Sequence, residues 1–310
     1  MRLIKEETHL DFMGKARLAA IISALALIAG LVGYFTMGGL NYGIDFKGGT
    51  LVQVRFEESV DIDTLRGTLS GSDLGTFSLQ SFGEDGGNEF LITLAGAQGD
   101  GQAQKQEALT DRNISARVET LLKEHHPKFS IRRVESVGPK VGEELKQSAV
   151  LAILLSLLLI LAYTSFRFQW RYGVAAIVAL FHDVLIVMAA FVFSQHEISL
   201  PVVAAVLTVA GYSINDTIVI FDRLRENIRR FHKKSAEDII NESINQTLSR
   251  TLLTSGTTIF VVLALFIFGG EIIRDFSFAL LVGVVVGTYS SIFIASPMFH
   301  TLLRWFPTKV

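Results

Sequence analysis

The chain has no cysteine among its 310 residues, which excludes disulfides, thiolate metal centres and cysteine nucleophiles. Proline is scarce, at 5 residues, in keeping with long uninterrupted apolar runs. Signatures of nucleotide binding and hydrolysis are missing as well: there is no G-x-x-x-x-G-K-[ST], no Rossmann glycine fingerprint, no H-E-x-x-H and no G-x-S-x-G. No enzyme activity, cofactor, metal or nucleic-acid partner is therefore expected, and energy for any work must come from elsewhere. A proton gradient is the obvious remaining source.

Half of the residues are hydrophobic, and they gather in runs at 18–37, 148–166, 172–193, 201–221, 251–268 and 276–303. Each run spans roughly 27 Å or more at 1.5 Å per residue, enough for one crossing of a bilayer. The chain reads as a polytopic membrane protein with six helices. Residues 1–17 are polar, and the run after them is too long for a signal-peptide core, so it is read as a retained first helix. Arg167 and Arg171 fall between helices two and three, and Arg223, Arg225, Arg229, Arg230, Lys233 and Lys234 between four and five. The opposite loops hold only Arg274. By the positive-inside rule both termini (1–17 and 304–310) are cytoplasmic, and in a bacterium the large segment 38–146 is periplasmic. The loop 222–250 carries an amphipathic helix, opened by Ser235 with Asp238 three residues on and marked by Ile240, Ile244 and Leu248.

Segment 38–146 has the composition of a soluble α+β domain. Strands are expected over 51–56, 77–82, 90–94 and 129–137, helices over 62–69 and about 104–125, and a turn at Gly86-Gly87-Asn88. That order is β-α-β-β-α-β, the split ferredoxin-like arrangement. His125 and His126 point about 100° apart on a helix, which reads as a solvated helix end rather than a metal site. Asp45-Phe46-Lys47-Gly48-Gly49 reads as a tight turn fixing the domain to the first helix, with Asp45, Gly48 and Gly49 as its turn or hinge residues.

Within the fourth apolar run stands Asp216. A carboxylate there costs a few kcal/mol or more unless it is paired, hydrated or protonated, so it is expected to face the bundle interior. Thr208, Tyr212, Asn215 and Val219 are placed on or beside its face. Arg250, Thr254, Thr257 and Thr258 share a face of helix five, giving a cation and a hydroxyl ladder. Asp183, after His182 in helix three, is a second acid at depth. For each of the three ionisable groups a structural reading stays open: Asp216 as a satisfied acid, Arg250 as a flanking charge, Asp183 as a partner of hydroxyls or backbone. Gly283-x-x-x-Gly287, followed by Ser290 and Ser291, gives helix six a small-residue face suited to close packing.

Three stretches resemble the SecF proteins of the SecD/SecF family, protein-export membrane subunits of the RND (resistance, nodulation, cell division) superfamily. They are Asp45-Phe46-Lys47-Gly48-Gly49; Gly211-Tyr212-Ser213-Ile214-Asn215-Asp216-Thr217 with Phe221-Asp222-Arg223-Leu224-Arg225-Glu226-Asn227; and residues 246–258 around Arg250. The resemblance implies an RND-type half of six helices with one extracytoplasmic domain. It also implies association with SecD, YajC and the SecYEG channel, an unfolded preprotein as substrate, and use of the proton-motive force to complete export across the cytoplasmic (inner) membrane. Carried over by position, the family's essential intramembrane acid falls on Asp216 and its essential arginine on Arg250, with Asp183 in a similar helix-three context; all three are expected to form a proton relay. Tyr212, Asn215, Thr254 and Thr257 are the expected supporting polar face. Lys47 departs from the threonine often found in the family's turn. Competing readings are an RND-type exporter of small molecules or lipids and a non-conducting scaffold of the translocon.

Overall fold

The computed structural model describes residues 9–72, 74, 77–82, 88–95, 107–126, 128–231 and 233–306. The expected turn at Gly86-Gly87 and residues 104–106 lie outside them. The chain divides into two compact units, Met1–Asn41 with Leu151–Val310, and Tyr42–Val150.

The smaller unit follows from strand alternation and two short amphipathic helices. Its elements run α2 (Ile44–Lys47), β1 (Gly49–Phe56), α3 (Ile62–Ser70), β2 (Phe77–Phe82), β3 (Glu89–Ala95), α4 (Glu107–His125) and β4 (Phe129–Val137). The strands form one antiparallel sheet in the order β2-β3-β1-β4, with Val52 opposite both Ile92 and Val134. This is the ferredoxin-like arrangement expected from the pattern. Val52, Val54, Phe56, Phe90, Ile92 and Leu94 of the sheet bury against Leu65 and Leu69 of α3 and Val118 and Leu122 of α4. Asp61 opens α3 by accepting from the Asp63 and Thr64 amides. His126 is not a solvated end: its ring packs edge-on against Phe56, with centroids 5.3 Å apart.

The membrane unit is made of α1 (Phe12–Thr36), the later part of α5 (Pro139–Arg167), α6 (Trp170–Ser194), α7 (Leu200–Arg230), α8 (Ala236–Phe268), α9 (Glu271–Ser290), a π-helical turn (Ser291–Ala295) and α10 (Ser296–Trp305). Six spans among the described residues are long and apolar enough to cross a membrane. Several elements outrun their apolar runs. α7 continues nine residues past Phe221, because Arg, Glu and Leu are good helix formers and Arg223 pairs with Glu226 one turn on. The amphipathic segment and the fifth crossing form one unbroken α8, since nothing between Leu248 and Thr254 interrupts the ladder. Ile240, Ile244 and Leu248 then lie in the bundle core beside Tyr172, Phe221 and Phe299. Residues 139–142 are the first turn of α5, where Pro139 loses no helical hydrogen bond.

The sixth crossing is interrupted where no break was expected. Pro297 lacks an N–H for the Phe293 carbonyl, and the turn before it widens to i→i+5 bonding. The small residues of α9 do as their spacing implies: a Cβ on Gly283 would sit 2.2 Å from Val209, and one on Gly287 2.8 Å from Ser213. α7 and α9 therefore approach more closely than larger residues would permit.

Candidate functional site

Position Asp216 follows from the buried stripe of α7, in which Val202, Ala205, Val206, Val209, Ala210, Ser213, Asp216, Thr217 and Ile220 recur at helical spacing. Asp216 is 3% exposed and so faces inward. Among the described residues its carboxylate accepts one hydrogen bond, from Ser255 of α8 at 3.2 Å, and Ser255 is bonded in turn to Thr288 of α9 at 2.7 Å. Thr288 also lies 2.8 Å from its own helix carbonyl at Val284. Three helices thus meet at one acid through two hydroxyls.

The polar face drawn around Asp216 from the sequence is only partly present. Asn215 and Thr208 are exposed, because a residue next to Asp216 is turned about 100° away and Thr208 lies beyond the buried stripe. Tyr212, one turn before Asp216, is half-buried, and its hydroxyl has no hydrogen-bond partner among the described residues. On α8 the hydroxyl ladder turns to its own backbone. Thr254 donates to the Arg250 and Thr251 carbonyls, each at 3.0 Å, and Thr257 to those of Leu253 and Thr254, each at 2.9 Å. The side meeting Asp216 is instead that of Thr251 and Ser255; Ser255 lies five residues past Arg250, about 140° around the helix. Thr251 is buried, and its hydroxyl also lacks a partner. Arg250 is exposed and makes no direct ion pair with Asp216 among the described residues.

Asp183 of α6 is fully buried and belongs to a second network. It accepts from Ser213 at 2.7 Å and Ser290 at 2.8 Å, and meets His182 Nδ1 at 3.1 Å. His182 Nε2 lies 3.1 Å from Ser23 of α1, and Ser23 lies 2.9 Å from the hydroxyl of Tyr289, which donates to the Ala19 carbonyl. Ser213 stands one turn before Asp216, so α7 carries one acid and a hydrogen-bond donor to the other. Thr217, Ser291 and the Ser213 carbonyl fill the space beside them, with 2.8 Å between the two hydroxyls. A hydrogen bond to a charged group contributes about 1.5–3 kcal/mol, so Asp183, with two hydroxyl donors and the His182 ring beside it, is held in place more firmly than Asp216, with one donor.

Sequence reasoning missed Ser255, Thr288, Ser213 and Ser23. Ser23 had a legible signal, being the single serine of α1 in an apolar run. Ser290 and Ser291 were noted only as small residues.

The turn residues lie in the α+β unit. Asp45 sits in the one-turn helix α2, followed by Gly48 at φ +72° and Gly49 at φ +138°. A Cβ on Gly48 would lie 2.8 Å from the Pro139 Cα, so the turn presses on the first residue of α5 and requires glycine on two counts.

The C-terminal family model described as protein export membrane protein SecD/SecF matches residues 117–305, and that of the SecD/SecF GG motif matches residues 35–60. A protein translocase subunit SecF from Calditerrivibrio nitroreducens is 43% identical, covering 97% of both chains. One from Magnetococcus marinus is 47% identical over 96% of this chain and 93% of that one. The crystal structure of SecDF, a translocon-associated membrane protein from Thermus thermophilus, superposes with a TM-score of 0.83 at 38% identity, covering 98% of this chain and 39% of that chain. SecDF in a super-membrane-facing form gives 0.69, also at 38% identity. Matched by that family model over most of its membrane unit and by relatives above 40% identity along nearly all its length, the chain belongs to the SecD/SecF family of protein-export membrane proteins.

Proposed function

We propose that this chain is the SecF-type subunit of a bacterial protein translocase and that it couples proton movement through its helix bundle to a late step of preprotein export. The observation that carries the reading is Asp216: a carboxyl 3% exposed between three apolar helices, with one hydroxyl donor among the described residues. Arginine keeps its charge throughout, so the exchanging proton resides on Asp216. When ionised, Asp216 is drawn toward Arg250; when protonated, that attraction ends and α7 and α8 are free to shift. One charge crossing the field gains about 2.3 kcal/mol per 100 mV, the scale of a rearrangement between packed helices. Asp183 serves as a second relay member, reached through Ser213. The orphan hydroxyls of Tyr212 and Thr251, each one turn from a member of the Asp216–Ser255 pair, support transfer there.

Arg223, Arg225, Arg229 and Arg230 in the last turns of α7, Lys233 and Lys234 after it, and Arg167 and Arg171 support a cytoplasmic side for those ends and a periplasmic side for the α+β unit. There the unit would engage an emerging unfolded chain, α1 reaching it through Gly38 and Gly39, both at positive φ. The chain spans about two fifths of the SecDF chain it matches, which favours a SecD partner as the second half, with YajC and SecYEG as the wider assembly. The test is export of a reporter protein in cells carrying Asp216→Asn or Arg250→Ala, with complex assembly measured separately. Loss of export with normal assembly is expected; full export at every proton gradient would end the proposal.

A further inference from the structure

The Phe221–Asn227 motif contributes its apolar side to the bundle core, but its charged side has no part in the Asp216 site. On that side Asp222, Arg225, Glu226, Arg229 and Arg230 share one face of α7 by their i, i+3, i+4, i+7 and i+8 spacing, and they line a cavity of about 470 Å³. The carboxylate of Glu226 is engaged by Arg223 at 2.7 Å. Arg225 and Arg229 have no ion pair among the described residues. Behind them stands Tyr172 of α6, its ring stacked on Phe299 with centroids 4.1 Å apart and edge-on to Phe221 of α7 at 5.1 Å. Arg225 and Arg229 stand one turn apart on this face, and an anion between them offsets their mutual repulsion.

The depth of the cavity says which anion. The apolar run of α7 ends at Phe221, one residue before the first lining residue, so the cavity opens at the edge of the hydrocarbon. Trp170 begins α6 at the same end of the bundle and meets Phe306 edge-on at 5.3 Å, an aromatic pair of the kind that marks the membrane–water boundary. Phosphates of lipid headgroups are the concentrated anions at that boundary, and a guanidinium fork matches phosphate oxygens two at a time. Asp222 would repel a bare phosphate but accepts hydrogen bonds from hydroxyl groups, which a glycerol headgroup supplies.

We propose that the α7 face carrying Arg225, Arg229 and Arg230 binds the phosphate of an acidic phospholipid with a hydroxylated headgroup, with phosphatidylglycerol as its representative. The site is separate from Asp216 and does not depend on proton use. In the test, the full-length purified protein is delipidated in detergent, offered phosphatidylglycerol or phosphatidylcholine, and the retained lipid is counted by native mass spectrometry. Phosphatidylglycerol should be retained preferentially, and the preference should fall by roughly tenfold or more in Arg225→Gln/Arg229→Gln. Arg225→Lys/Arg229→Lys keeps the charge and should keep part of the preference. It also gives a folded comparison should the first pair be unstable. Asp222→Asn should narrow the margin of phosphatidylglycerol over phosphatidic acid. Equal retention of the two lipids, an unchanged preference in the glutamine pair, or displacement of lipid by inorganic phosphate alone would each overturn the assignment, the last by making it a site for free phosphate.

Discussion

The Ser255 hydroxyl lies 3.2 Å from the Asp216 carboxylate, and it has a single proton to give. If Ser255 donates to Asp216, its 2.7 Å bond to Thr288 must be made with the Thr288 proton, and the Val284 carbonyl loses that donor. If Asp216 carries a proton and gives it to Ser255, the whole row reverses, ending on Val284. The protonation state of one carboxyl is thereby written into the hydrogen bonds of α8 and α9. Ser255→Ala should break that row with little loss of packing. Export of a reporter protein should slow by about tenfold, the worth of a net hydrogen bond of about 1.4 kcal/mol, while Ser255→Thr restores most of it. An export rate in Ser255→Ala equal to that of the parent would remove the hydroxyls from the mechanism.

Asp183 and Asp216 should separate by stability rather than by burial. Removing the Asp183 carboxylate leaves Ser213, Ser290 and His182 facing a buried gap, at about 1–3 kcal/mol for each polar group left unpaired. Asp183→Ala should therefore lower the unfolding midpoint in detergent markedly, and Asp183→Asn, which keeps an acceptor, should lower it less. Asp216→Asn, with one partner at stake, should melt close to the parent. Equal melting of Asp183→Ala and the parent would show that the network contributes nothing.

The α+β unit was legible almost element by element, because period-two alternation and short amphipathic helices fix it locally. β2 and β4 fall on the expected bounds, α4 ends where expected, and β1, α3 and β3 differ by one or two residues at their ends. The bundle was legible as spans but not as faces. Asp216 was found because an acid in an apolar run is conspicuous, whereas its true partner, Ser255, sits in a stretch where Thr251, Thr254, Thr257 and Thr258 offer competing hydroxyls on neighbouring lines of the helix. Only the packing of α8 against α7 and α9 selects among them. The π turn was hidden for a related reason: Pro297 announces a missing donor, but how the helix accommodates it depends on its neighbours.

The close approach of α7 and α9 rests on two glycines, and a paired substitution tests it. Gly283→Ala puts a methyl group 2.2 Å from Val209 Cγ2, and overpacking of this kind costs about 1–3 kcal/mol. Gly211→Ala, on an exposed side of α7 with nothing within 4 Å, should be neutral or gain up to about 1 kcal/mol in helix propensity. Thermal unfolding of the two variants in the same detergent measures the difference. A Gly283→Ala midpoint at or above that of Gly211→Ala would mean that α9 adjusts freely.

The start of α1 is held from a distance in sequence by α8. Asp11 caps α1 through the Gly14 amide at 2.8 Å and accepts from Asn241 at 2.9 Å; Asn241 accepts in turn from the Phe12 and Met13 amides, and Asn245 holds both backbone groups of Leu10. The Gly14 amide first, and Asn241 second, keep the Asp11 carboxyl below its ordinary value of 3.8. A group depressed on folding contributes stability that is complete above the unfolded value and is lost as pH falls through the folded one. Hydrogen-exchange protection at Gly14, corrected for intrinsic rate, should thus be flat from neutral pH down to about 4 and decline only in more acid solution. Asp11→Asn should keep the cap and flatten the decline; Asp11→Ala should lose protection at every pH. Protection that falls already between pH 7 and pH 5 would assign the contact to some other titrating group.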